Sequence, residues 1–254
     1  MAPLDKEDLI IDFLRRELHA HREALLDNPR PLMVGLQGPQ GSGKSYTCAR
    51  VAERLAQDAQ PLRMAVFSLD DLYLPHAELQ ALAEAHPQYA LLQGRGQPGT
   101  HDVVLGTRIL QSLRRNERVS VPLYDKSAHD GEGDRAPMLR ALPYPLDIVL
   151  FEGWCLGFQS RTRHELAETV TKADPGAAYA QCSVDELAWI SQQLHRWETD
   201  WYPLLDAFVQ FLPNAEDGSS PWSLIYPWRL EAEHAMKMLN GGHAVPAELR
   251  TIQP

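Results

Sequence analysis

The sequence predicts an α/β fold in three layers, a mostly parallel central sheet flanked by helices, and three observations carry that expectation. Short apolar runs with the make-up of buried parallel strands alternate with stretches of helical periodicity. Two of those runs end abruptly in carboxylates, and an earlier one enters a glycine-rich turn that opens directly into a helix.

In chain order, residues 4–26 repeat apolar side chains at helical spacing (Leu9, Phe13, Leu14, Leu18) with charges between them, which predicts an amphipathic helix packed on the body of the domain. Residues 28–31 end it. Leu32–Gln37 is the first strand candidate, and helical periodicity resumes over residues 44–56. A second apolar run, residues 64–69, ends in Asp70 and Asp71, and a third, residues 147–151, ends in Glu152 and Gly153. Residues 103–115 and 184–197 read as helices, and residues 207–212 as a fourth strand. Residues 92–102 and 124–135 are polar, Gly-rich and long for mere connections, as loops that carry function often are. The expected organisation is an N-terminal helix over residues 1–30, one domain over 31–240 and an irregular tail over 241–254.

Composition narrows the class. With 254 residues, 44% of them hydrophobic, the chain can bury the core of one large domain. Twenty-four Lys and Arg against 34 Asp and Glu leave a net charge of −10, which repels nucleic acid and anionic membranes, so any phosphate site has to be built locally. Cys48, Cys155 and Cys182 are widely spaced, form no Cys-x-x-Cys pair and read as reduced thiols. The N-terminus lacks the pattern of a secretory or transit peptide. The most apolar stretch, residues 147–158, is broken by Asp147 and Glu152 well short of the roughly 20 residues that span a bilayer. A cytoplasmic protein with neither nucleic acid nor membrane as partner is expected, and the oligomeric state is not written in the sequence.

The turn after the first strand is Gly38-Pro39-Gln40-Gly41-Ser42-Gly43-Lys44-Ser45, the G-x-x-x-x-G-K-[ST] pattern in its proper strand-to-helix setting. Backbone N–H groups at such a helix start converge on phosphates and the helix dipole adds positive potential. Lys44 is placed to reach the β- and γ-phosphates of ATP, and the Ser45 hydroxyl to ligate Mg²⁺. Tyr46 completes the expected nucleotide-binding set.

In an open α/β sheet the ligand crevice lies beyond the carboxyl ends of the strands, so Asp70, Asp71 and Glu152 are expected to converge near this loop. Asp70 suits the base that orients an acceptor hydroxyl and takes its proton; Glu152, with Ser45 and Asp70, suits the metal. Asp71 fits either a substrate contact or a structural turn bond. Arg95 can grip a carboxylate or phosphate bidentately, next to His101 and Asp102, and Asp102 fits both a substrate hydroxyl and the N-cap of the helix from Val103. Lys126, His129 and Arg135 would supply the positive field that the net charge withholds, unless their segment is a solvated loop. His19 and His21 are expected at the surface, and Trp189, Trp197 and Trp201 in core packing.

Several motifs together resemble the D-glycerate 3-kinase family of plants and fungi, within the P-loop kinase fold shared by uridine kinase, phosphoribulokinase and bacterial pantothenate kinase. They are the loop above, Ser68-Leu-Asp-Asp-Leu-Tyr-Leu-Pro75, Gly94-Arg-Gly-Gln-Pro-Gly-Thr-His-Asp102, Tyr124-Asp-Lys-Ser-Ala-His129, Phe151-Glu-Gly-Trp-Cys-Leu-Gly-Phe158 and Tyr226-Pro-Trp-Arg-Leu-Glu231. The resemblance implies transfer of the γ-phosphate of ATP to D-glycerate, giving 3-phosphoglycerate, with Asp70 as base and Glu152 near the metal. It also implies Asp102 toward substrate hydroxyls, Tyr124, His129 and Arg135 about the acceptor, and Arg229 as a lid arginine over the phosphates; Tyr73 is a further candidate for contact with the substrate. Arg95 or Lys126 would then meet the glycerate carboxylate. Kinases of a nucleoside, a pantothenate-like acceptor or another sugar acid are the neighbouring readings, and a nucleotide-binding regulator is a further one. The regulator lacks an Asn-Lys-x-Asp guanine motif, and Asp130-Gly-Glu-Gly133 has no strand before it. A nucleic-acid ATPase conflicts with the acidic balance.

Overall fold

The computed structural model describes residues 5–26, 29–173, 178–213, 221–225, 227–228 and 230; Arg229 and the expected tail at 241–254 lie outside the described residues. Helix α1 (Lys6–Ala24) buries Ile10, Ile11, Leu14 and Leu18. Its apolar stripe is rotated slightly from the expected one, since Leu9 is 54% exposed. Strand β1 (Leu32–Gln37) is buried throughout and leads through the glycine-rich turn into α2 (Lys44–Gln57). Then come β2 (Met64–Ser68), α3 (His76–Ala85) and α4 (Val103–Arg114). An antiparallel pair, β3 (Ser120–Asp125) and β4 (Asp134–Ala141), precedes β5 (Ile148–Gly153), α5 (Arg163–Thr171), α6 (Val184–Asp200) and β6 (Ala207–Gln210).

The central sheet has the order β2-β5-β1-β6 and is parallel throughout. Its register sets the site: Gln37 lies opposite both Gly153 and Gln210, and Ser68 opposite Glu152, so all four strands end within one residue of the same level. Because successive side chains point to opposite faces, each strand feeds two cores. Val34 and Leu36 join Leu14, Val51 and Leu55 under α1 and α2. Met33 and Phe151 join Leu110, Trp197 and Trp201 under α4 and α6.

Four expectations are adjusted. Residues 124–135 are not an irregular loop but the tip and flanks of the β3–β4 hairpin, whose Pro122 and Pro137 obscure the strand signal. Leu69 leaves β2 for a short 3₁₀ turn, because the Ser68 hydroxyl accepts from the Asp70 N–H and the Asp71 carboxylate from the Ser68 N–H. Helices α3 and α5 show no apolar stripe to read, since α3 buries only Leu79 and α5 buries nothing. His21 is tucked in, 8% exposed, its Nε2 3.2 Å from the Arg30 carbonyl, while His19 stands 77% exposed.

Trp197 and Trp201 are fully buried and stack 4.9 Å apart, the core role expected of them. Gly106 on α4 admits Trp201, because a Cβ there would meet the indole at 2.6 Å and Leu72 at 2.8 Å. Gly106→Ala is therefore expected to lower stability by about 1–3 kcal/mol despite alanine's better helix propensity. Urea unfolding measures this; a gain in stability would show that the indole yields.

Candidate active site

The turn between β1 and α2 is a cradle by construction. Gly41 and Gly43 adopt left-handed backbone at φ 80° and 77°, and a Cβ at Gly38 would meet Phe211 at 2.8 Å and the Ser42 hydroxyl at 3.1 Å. Lys44 is buried, and its Nζ donates to the Pro39 carbonyl at 3.0 Å. Burial pulls its pKa down, with Glu152 and Asp70 opposing. The Ser45 hydroxyl donates to Glu152 Oε1 at 2.9 Å, and Glu152, at the end of β5, is 4% exposed. Ser42 Oγ, Thr47 Oγ1 and Gln37 Oε1 are buried with no hydrogen-bond partner among the described residues. Buried polar atoms of this kind call for a ligand or water. Polyphosphate fits the amides, Ser42 and Lys44, and a hard divalent cation fits the Ser45 and Glu152 oxygens. Tyr46, on the first turn of α2, is 68% exposed.

Asp70 follows β2 and faces Lys126 from the hairpin, Nζ to Oδ2 2.5 Å. Burial opposes its ionisation, but the Lys126 ammonium, with Lys44 behind it, outweighs burial and holds the carboxyl below its ordinary range. Asp71 forms the turn bond, accepting from the Ser68 N–H at 3.4 Å, and lies 3.5 Å from Arg140. Burial pushes its carboxyl up.

Two segments meet beside Asp70. Tyr73 and His101 form a β-bridge, flanked by Leu74 N–H to the Thr100 carbonyl (2.9 Å) and Asp102 N–H to the Leu72 carbonyl (2.8 Å). The Tyr73 ring stacks on His101 at 4.4 Å and meets Tyr124 edge-on at 5.2 Å. Buried His101 is pushed down to about 3 by desolvation, which keeps it neutral at any physiological pH. Asp102 uses one oxygen to cap α4, accepting from the Leu105 N–H at 2.9 Å, and holds the other 3.4 Å from Arg135. Arg135 also donates to the Tyr73 carbonyl at 2.9 Å.

Arg95 spans from its loop to the hairpin tip. Its Nη1 donates to the Gly131 carbonyl at 2.7 Å and to the Glu132 carbonyl, and its guanidinium lies 5.7 Å from the centre of the Tyr124 ring. A Cβ at Gly133 would strike Tyr124 at 2.5 Å and Arg95 at 2.7 Å. His129, at the hairpin tip, stacks on His76 at 3.7 Å and lies 3.2 Å from Asp134.

Two contributors are given no role by sequence reasoning: Glu186 lies in no motif, and Trp154 sits within the Phe151–Phe158 motif without a function read for it. Glu186, 3% exposed, accepts from the Leu91 N–H at 2.7 Å and anchors the segment that leads to Arg95. In sequence it hides as the third residue after the Ser183 cap, where an acid reads as a capping box. Trp154 accepts from Gln37 at its carbonyl (2.8 Å) and donates from its indole to the Gly96 carbonyl (3.3 Å), tying the β1 and β5 ends to that same segment.

A phosphate cradle at the switch from strand to helix, with a carboxylate just past the end of another strand of the same sheet facing a cation, defines a P-loop kinase. No protein-family model matches the chain. The structure superposes on the D-glycerate 3-kinase from Cryptococcus neoformans with a TM-score of 0.84 and 34% identity, covering 97% of this chain and 84% of that one. The uncharacterized kinase mug58 of Schizosaccharomyces pombe is 34% identical over 216 residues, 82% of this chain and 72% of that protein. The chloroplastic D-glycerate 3-kinase of Arabidopsis thaliana is 33% identical over 217 residues, and the chain spans 43% of its length. The chain belongs to the D-glycerate 3-kinase family and is an ATP-dependent phosphotransferase acting on an alcohol group. Among the described residues no helix is long and apolar enough to cross a membrane.

Proposed function

We propose that the protein transfers the γ-phosphate of ATP to the C3 hydroxyl of D-glycerate, giving 3-phosphoglycerate and ADP. The observation that carries the acceptor's class is the Asp70–Lys126 pair, 2.5 Å apart beyond the end of β2. An acid acceptor brings its own carboxylate to Lys126 and so releases Asp70 to take the hydroxyl proton as the oxygen attacks phosphorus. Lys126 suits this exchange better than Arg95, whose Nη1 already serves two carbonyls. Arg135 and Asp102 then present a donor and an acceptor to the remaining hydroxyl. Lys44 follows the charge that shifts onto the β–γ bridging oxygen as the bond breaks. Ser45, Glu152 and Asp70 would hold Mg²⁺, which offsets charge on the phosphates when bound.

An ATP-consumption screen against D-glycerate, L-glycerate, uridine, pantothenate and a sugar-acid panel is expected to give the highest kcat/KM with D-glycerate. Preference for an acceptor without a carboxylate would remove the exchange at Lys126. Lys126→Gln is expected to raise the acceptor KM about tenfold or more. It should also move the acid limb of kcat/KM to higher pH, because the base must be ionised and loses the cation that holds its pKa low. An unmoved limb with unchanged acceptor KM would assign Lys126 to structure alone. A cytoplasmic setting is part of the same reading, supported by three free cysteines, two of them buried.

A further inference from the structure

The N-terminal helix brings a second ammonium group to the P-loop, one that no motif marks. Lys6 opens α1, and its Nζ lies 3.4 Å from where a Cβ on Gly43 would stand and 5.7 Å from the centre of the Phe211 ring. The residues that follow fix this placement. Arg54 of α2 donates to Glu7 at 3.3 Å and to Asp8 at 2.6 Å, and Arg50 approaches Glu7 at 3.9 Å. Ile10, Leu14 and Leu18 set the roll of α1 against the core that holds Val51 and Leu55 of α2. The first turn of α1 is thereby held against α2, and the Lys6 side chain reaches to Gly43, where the loop becomes helix.

Phe211 completes the arrangement. Its N–H donates to the Gln37 carbonyl at 2.7 Å, and its Cβ blocks any side chain at Gly38, so the ring beneath Lys6 is seated against the cradle's own backbone. The Lys6 ammonium is matched by no carboxylate among the described residues. Inside the loop, Lys44 is already drawn on by Glu152 and Asp70, and the whole chain is acidic. A nucleoside polyphosphate carries more negative charge than that one lysine balances.

We propose that Lys6 is a nucleotide-binding residue: from its position over Phe211 it supplies the outer side of the phosphate cradle and contacts the polyphosphate of the bound nucleotide. This rests on the reading of the P-loop as the nucleotide site. The test is calorimetric titration of the full chain with ADP and with a non-hydrolysable ATP analogue, for wild type, Lys6→Gln, Lys6→Arg and Lys44→Ala. Lys6→Gln is expected to weaken both ligands about three- to tenfold at low salt, an electrostatic loss that fades toward about 0.5 M salt. Lys6→Arg recovers most of the affinity, and the acceptor KM stays put. Wild-type affinity in Lys6→Gln, with binding abolished in Lys44→Ala, would overturn the role of Lys6 and leave the P-loop site standing. Equal losses in Lys6→Gln and Lys6→Arg, with lowered melting temperatures, would make the effect structural and overturn it as well. If wild type and Lys44→Ala bound nucleotide alike, the P-loop reading itself would fall, and the role of Lys6 with it.

Discussion

Asp70→Asn is expected to lower kcat by about two to four orders of magnitude, the span that a positioned general base contributes. Nucleotide affinity should hold or tighten slightly. Asparagine keeps the shape of the side chain and can still accept a hydrogen bond from Lys126, 2.5 Å away in the native protein. It cannot take a proton from an attacking hydroxyl. The substitution also removes a negative charge that acts on Lys44, so the cradle becomes no less attractive to phosphate. Steady-state kinetics with varied acceptor, alongside ADP calorimetry, separate the two effects. Near-normal turnover would remove Asp70 as the base.

Lys44→Ala should fail differently. It takes away the one ammonium inside the loop and leaves the Pro39 carbonyl without the bond it receives at 3.0 Å. Both nucleotide binding and turnover are expected to fall, with kcat/KM for ATP down by about two to three orders of magnitude, the usual cost of losing one well-placed donor to developing charge. Lys44→Arg is not expected to rescue, because a planar fork does not fit where a compact ammonium is buried. A circular-dichroism melt close to wild type would show that the loss is local. Unimpaired ADP binding in Lys44→Ala would mean that the phosphates sit elsewhere.

The contrast between these variants reflects how the chain builds its site. Short continuous apolar runs ending in Asp70 and Glu152 made the parallel sheet readable, because strands buried on both faces are apolar at every position and too short for a buried helix. The cradle was readable because Gly41 and Gly43 need left-handed backbone in a fixed frame around Lys44. What could not be read is what long-range pairing decides. The β3–β4 hairpin hides behind two prolines, and the meeting of Lys126 with Asp70, 56 residues apart, has no local signature. Asp102 shows why both readings of an acid before a helix had to stay open: one oxygen caps α4 and the other turns to Arg135. Lys6 lay in a stretch read only for its apolar stripe, and its relevance depends on the salt bridges of Glu7 and Asp8 with α2.

The most direct test is a crystal structure with a non-hydrolysable ATP analogue, Mg²⁺ and D-glycerate bound together. The expected result has the terminal phosphates ringed by the amides from Gly38 to Ser45, the glycerate carboxylate on Lys126, and its C3 hydroxyl within hydrogen-bond distance of Asp70 and in line with the γ-phosphate. A cradle left empty by the analogue, or an Asp70 still paired with Lys126 while the acceptor lies elsewhere, would contradict the account.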